Sequence, residues 1–127
     1  MAKASYVWSG SDWVAVASAV PQTHQRGIAT VTTTTYTLGV NDTGKALLTT
    51  NSSAVTITIP ADSTYNFSVG QTFVVSQTGT GAVTIAAAVG VTLNSKSSYV
   101  NLSGRYAEAR LIKTASNVWL LSGDLSS

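Results

Sequence analysis

One pattern limits this chain more than any other: β-branched and hydroxyl residues alternate at a period of two. In Ala54-Val-Thr-Ile-Thr-Ile59, Val55, Ile57 and Ile59 fall on one face and Thr56 and Thr58 on the other. Successive residues of a strand point to opposite faces, whereas a helical stripe needs a period near 3.6. The theme recurs, more loosely, over residues 30–38, 71–77, 82–86, 99–102, 107–113 and 117–121. Thr, Val and Ile together supply 39 of the 127 residues. Such side chains are stiff at χ1 and pack well on a pleated surface. Residues 106–112 contain good helix formers, yet Ala107, Ala109 and Leu111 alternate with Glu108 and Arg110. A strand is predicted there too.

Turn chemistry separates these runs. Asn41-Asp-Thr-Gly44 and Ser103-Gly104 punctuate their segments, and Pro60, lacking an N–H, should end the ladder before it. Thr78-Gly-Thr-Gly81 reads as a hairpin turn, because glycine adopts positive φ freely. Short strands with frequent turns predict an all-β fold, an antiparallel β-sandwich or jelly-roll-like barrel, over residues 28–127. Residues 1–27 read as a separate arm and linker. Ser5-Tyr-Val-Trp8, Ser9-Gly-Ser11 and Asp12-Trp-Val-Ala-Val16 form a small hairpin, followed by polar Pro21-Gln-Thr-His-Gln-Arg-Gly27. A lone two-stranded hairpin is marginal in water. Tyr6, Trp8 and Trp13 therefore need a surface, either the chain's own domain or another subunit.

Composition narrows the classes of function. Only 9% of the residues are charged, against roughly 25% in an average soluble domain, and 19 Thr and 17 Ser supply the polar surface instead. The absence of cysteine excludes disulfides and thiolate metal sites. The seven basic residues are scattered and the net charge is +2, so no nucleic-acid partner is expected. The longest apolar-leaning stretch, residues 82–93, is shorter than the roughly 20 residues a membrane helix needs. The first residues lack a signal-peptide h-region, so cytoplasmic synthesis without a membrane partner is expected. Ile85-Ala-Ala-Ala-Val-Gly-Val91 is apolar on both strand faces, which predicts burial on both sides, one of them against a neighbouring subunit.

No constellation of residues predicts catalysis. The single histidine, His24, lies in the linker, where no rigid pocket orients it as a base. Asp12, Asp42, Asp62 and Asp124 all fall in turn-like sequence and read as turn formers. No phosphate-cradling loop, calcium loop, zinc spacing or cofactor motif is present, so no catalytic residue, metal or cofactor is assigned. Arg105, Arg110 and Tyr106 are candidates for a recognition patch, since aromatic and Arg side chains dominate binding hot spots. The competing reading of the same residues is a solvated strand pair.

Taken together, Asp42-Thr-Gly-Lys-Ala-Leu-Leu48, Asn51-Ser-Ser-Ala-Val-Thr-Ile-Thr-Ile-Pro60, Phe67-Ser-Val-Gly-Gln-Thr-Phe-Val-Val-Ser-Gln-Thr-Gly-Thr-Gly-Ala-Val-Thr-Ile85 and Trp119-Leu-Leu-Ser-Gly-Asp-Leu125 resemble a β domain of tailed-bacteriophage virion proteins. The likeness spans about residues 30–125, and the Trp8-Ser-Gly-Ser-Asp-Trp13 hairpin is similar to small hairpins of phage fibres. The resemblance implies a structural virion protein with no shared catalytic residues. It also implies a homo-oligomer, expected as a trimer, that contacts other virion proteins of capsid or tail. The shortness of the chain favours a capsid decoration, cement or head-fibre-like protein over a long fibre. On this reading Tyr6, Trp8 and Trp13 dock on a neighbour. The alternative is a tail-fibre, tail-tip or baseplate accessory protein that binds a receptor or glycan, with Tyr65, Tyr99, Tyr106 and Trp119 as stacking platforms.

Overall fold

A computed structural model describes residues 6–8, 13–15 and 27–127. Strands β1 (Tyr6–Trp8) and β2 (Trp13–Ala15) pair antiparallel, with Trp8 opposite Trp13. Their side chains, the linker and His24 lie outside the described residues.

From residue 27 onward the chain is all-β and forms two facing sheets. The strands are β3 (Gly27–Val31), β4 (Thr35–Thr37), β5 (Lys45–Thr49), β6 (Val55–Ile59), β7 (Thr72–Gln77), β8 (Val83–Ala87), β9 (Thr92–Ser95), β10 (Asn101–Leu102), β11 (Glu108–Ala115), β12 (Val118–Gly123) and β13 (Leu125–Ser126). One sheet runs β3-β5-β7-β11-β12-β9 and the other β13-β10-β8-β6-β4. From β3 to β8 each successive strand enters the opposite sheet. β3, β5 and β7 are consequently parallel neighbours, as are β4, β6 and β8.

The sheets are therefore mixed, which corrects the antiparallel expectation. Alternation along a strand reports which face is buried, and it is the same whichever way the neighbour runs. A parallel neighbour needs a long crossover, and here the other sheet supplies it. The chain winds three coils, each with one strand per sheet. The antiparallel strands β11 and β12, with β10 and β13, then extend the stack.

The second and third coils keep one register. Ala46 pairs with Val74 and Val55 with Val83, a separation of 28 residues in both sheets. The corner Thr78-Gly-Thr-Gly81 is thus no hairpin; it carries the chain from β7 in one sheet to β8 in the other. Its glycines are needed for contact and not for positive φ. A Cβ on Gly79 would run into the Asn51 carbonyl, and one on Gly81 into the Ser53 carbonyl. Residues 30–38, expected as one run, likewise bend at 32–34 and split between β3 and β4.

Val31, Leu47, Phe73 and Val75 from one sheet meet Val55, Ile57, Ile59, Val83 and Ile85 from the other in a single core. Each such side chain contributes about 1.5–3 kcal/mol by leaving water. Residues 82–93 do not form one doubly buried strand. The chain turns after β8, with Gly90 at φ 89°, and Val89 is 98% exposed. Pro60 follows the last ladder residue of β6, as its missing N–H requires.

Candidate interaction surface

The ionisable side chains best placed for chemistry are committed to structure. On β11, Ala109, Leu111 and Lys113 share the buried face, and Lys113 is only 1% exposed. Its Nζ donates to Asp62 Oδ1 at 2.8 Å, Asn66 Oδ1 at 2.7 Å and the Phe67 carbonyl at 2.7 Å. An ammonium has three N–H donors, and these contacts use all of them. Asp62 Oδ2 accepts from Ser116 Oγ and the Asn117 N–H. The Lys113 hydrogen bond holds the Asp62 carboxyl below its ordinary value of 3.8; Ser116 and Asn117 add to this, while burial opposes it. The network ties the β6–β7 connection to the β11–β12 turn. It also places Phe67 edge-on to Phe73 and Trp119, at ring separations of 5.0 and 5.8 Å. Asp62 lies in a turn, as expected, but its carboxyl is a long-range strut and not a local turn bond.

A second strut closes the bend between β4 and β5. Asp42 is buried, accepting from Tyr36 Oη at 2.6 Å and from the Gly39 N–H at 2.8 Å. The Gly39 bond is the local turn contact expected of an Asp. Burial first, and the adjacent Asp42 second, push the Tyr36 hydroxyl up to about 12. Among the described residues no three His, Asp or Glu side chains cluster to hold a metal. No described helix is long and apolar enough to cross a membrane.

The proposed recognition residues have different surroundings. Arg105 Nε donates to the Thr78 carbonyl at 3.0 Å, and its guanidinium lies 4.9 Å from the Tyr106 ring centre. Tyr106 is 71% exposed at φ 70°, a left-handed conformation uncommon for a bulky residue. Arg110 is exposed on β11, where it pairs in register with Val74 and Ser122. Of the four aromatics considered as stacking platforms, Trp119 is buried and Tyr65 packs on Phe67, so neither presents a free ring. Tyr99 and Tyr106 remain exposed. Tyr6, Trp8 and Trp13 hold their places in the β1–β2 register, and their side chains lie outside the described residues.

Sequence reasoning missed the open end of the coil stack. β3 and β4 are the outer strands of their sheets at the same end, and among the described residues no strand pairs with their outer sides. Neither strand contains a charged residue or a proline, and Ile28 on β3 is 66% exposed. Free strand edges are usually blunted by charge, proline or a bulge, because their unpaired N–H and C=O groups recruit further strands. An available signal was the repeat of Ala-Val-Thr-Ile at residues 54–57 and 82–85. Its 28-residue spacing marks stacked coils, and a stack has ends.

No protein-family profile matches the chain, and no curated protein matches it.

Proposed function

We propose that this chain is a non-catalytic structural protein of a tailed-bacteriophage particle, a capsid decoration, cement or head-fibre-like protein. In this reading it binds the particle through its amino-terminal arm and self-associates through its β domain. The open, uncharged edge of the first coil carries the proposal. Strand addition there joins main-chain hydrogen bonds without desolvating charges. Threonine-rich strands suit such contacts, and Thr30, Thr35 and Thr37 are exposed on β3 and β4. The struts at Lys113 and Asp42 support a rigid scaffold, since their polar groups are satisfied internally. The phage-like sequence pattern supplies the setting, and multiple copies would multiply a modest contact energy.

The test is incorporation. A chain lacking residues 1–20 should keep its β signature in circular dichroism yet be missing from particles seen by electron microscopy. Normal occupancy by the truncated chain would refute the arm's role, and absence of the intact chain from particles would refute the setting. Light scattering should show an oligomer, with a trimer expected.

A further inference from the structure

A second surface lies at the opposite end of the sandwich. β9 and β13 are the outer strands there, as β3 and β4 are at the first coil. A cavity of about 430 Å³ opens between the segment after β9 and strands β12 and β13; Lys96, Ser97, Tyr99, Leu120, Ser122 and Leu125 contribute to its lining. Tyr99 and Leu120 are among the domain's exposed large apolar side chains, and both face this one cavity. Ser97 and Ser98 hold left-handed φ angles of 57° and 59°, so the rim backbone is strained. Among the described residues of the lining, Lys96 alone is charged.

We propose that this cavity receives the amino-terminal arm of a second copy of the chain. The inference rests on the self-association reading above, but it moves the arm, which that reading sets against the particle, onto the β domain of a second copy. The arm has what the cavity lacks: Tyr6, Trp8 and Trp13 as apolar anchors, and Asp12 as a partner for Lys96. Trp8 and Trp13 are register partners, so two tryptophan positions lie side by side in the hairpin. The volume falls within the roughly 300–1,000 Å³ of pockets that enclose drug-sized ligands.

Topology favours a neighbour over the chain's own cavity. The arm enters the domain at β3, on the edge opposite β9. Six strands at about 4.8 Å spacing set those edges about 24 Å apart. Residues 16–26 reach about 36–40 Å only when fully extended, whereas a random-coil chain of that length spans about 17–20 Å on average, short of that separation. Stacking copies head to tail sets β9 and β13 of one beside β3 and β4 of the next. Each sheet then continues into its counterpart, and the cavity comes next to the point where the arm leaves. A contact between two different surfaces closes into a ring or extends as a filament.

The chain has no cysteine, so engineered thiols report one contact at a time. Copies carrying Ser11→Cys are mixed with copies of a different mass carrying Ser122→Cys, under mild oxidation. A disulfide between the two copies is expected. Trp13→Ala and Leu120→Glu, each with wild-type circular dichroism, should each weaken association roughly tenfold or more. An oligomer that survives both substitutions and forms no cross-link overturns the inference and leaves self-association by another surface. A disulfide that forms only within a chain carrying both cysteines also overturns it, because the arm then folds back on its own domain. A wild-type chain that stays monomeric overturns the underlying reading itself.

Discussion

The carbonyl of Asn51 accepts the backbone N–H of Gly81 at 3.0 Å. The same asparagine donates its side-chain amide to the Thr32 carbonyl at 2.9 Å. One residue of the second corner thus bridges to the first and third corners, and its contact with the third exists only because Gly81 has no Cβ. Gly81→Ala should therefore cost about 3 kcal/mol or more, since the obstruction is the Ser53 backbone and not a movable side chain. Gly104→Ala is the control: no atom lies within 4 Å of a Cβ there, so stability should change by less than about 1 kcal/mol. Urea denaturation of both variants measures the contrast.

Lys113→Met keeps the length of the side chain and removes its charge. The Asn66 and Phe67 oxygens then lose their donor and Asp62 its cation. A loss of about 1–3 kcal/mol is expected, typical of a buried acceptor, here the Phe67 carbonyl, left without its donor. The 60–71 connection should become the first segment cut by protease.

The acid limb of stability should trace Asp62. Its carboxyl titrates below 3.8 in the folded chain, with Lys113 the largest cause. The folded state therefore binds fewer protons than the unfolded one in this range. The stabilisation is complete above about pH 4 and is lost as pH falls from 3.8 through the folded value. Asp62→Asn should flatten that limb in acid denaturation curves. An acid limb as steep as the wild type's would show that another group governs it.

At the alkaline end Tyr36 should titrate late. Its folded value of about 12 lies above the ordinary 10, so its contribution is intact below pH 10 and is lost as pH rises through 12. Phenolate absorbance should show a late-titrating component that disappears in Tyr36→Phe. That variant should lose about 1–3 kcal/mol at neutral pH, because Asp42 keeps only its Gly39 donor.

A charge on the open edge should separate folding from assembly. Ile28 and Thr37 are exposed on β3 and β4, so Ile28→Lys with Thr37→Lys should change stability by no more than about 1 kcal/mol. The same pair should reduce self-association in light scattering. Unchanged association would remove the edge from the interface.

Several elements could be read before any coordinates. Period-two alternation located β6, β7, β8, β11 and β12, because one face of each is buried. It failed for β5, Lys45-Ala-Leu-Leu-Thr49, where apolar residues occur on both faces. The corresponding strand one coil later, β7, would have revealed it. Lys113 was legible by parity, since it follows Ala109 and Leu111 at intervals of two; its charge disguised a core position.

That this chain forms strands, that one of them stops at Pro60, and which face of β6, β7, β8, β11 and β12 is apolar could all be read from the residues alone. These are local properties of side chains and single peptide units. Tertiary packing alone sets the crossing of successive strands between sheets and their parallel stacking. It also decides that Gly79 and Gly81 serve contact rather than turning, and that Lys113 is buried among three oxygens. Each of these depends on which distant backbone lies alongside, as Asn51 does beside Gly81, and alternation within a strand carries no record of its neighbour.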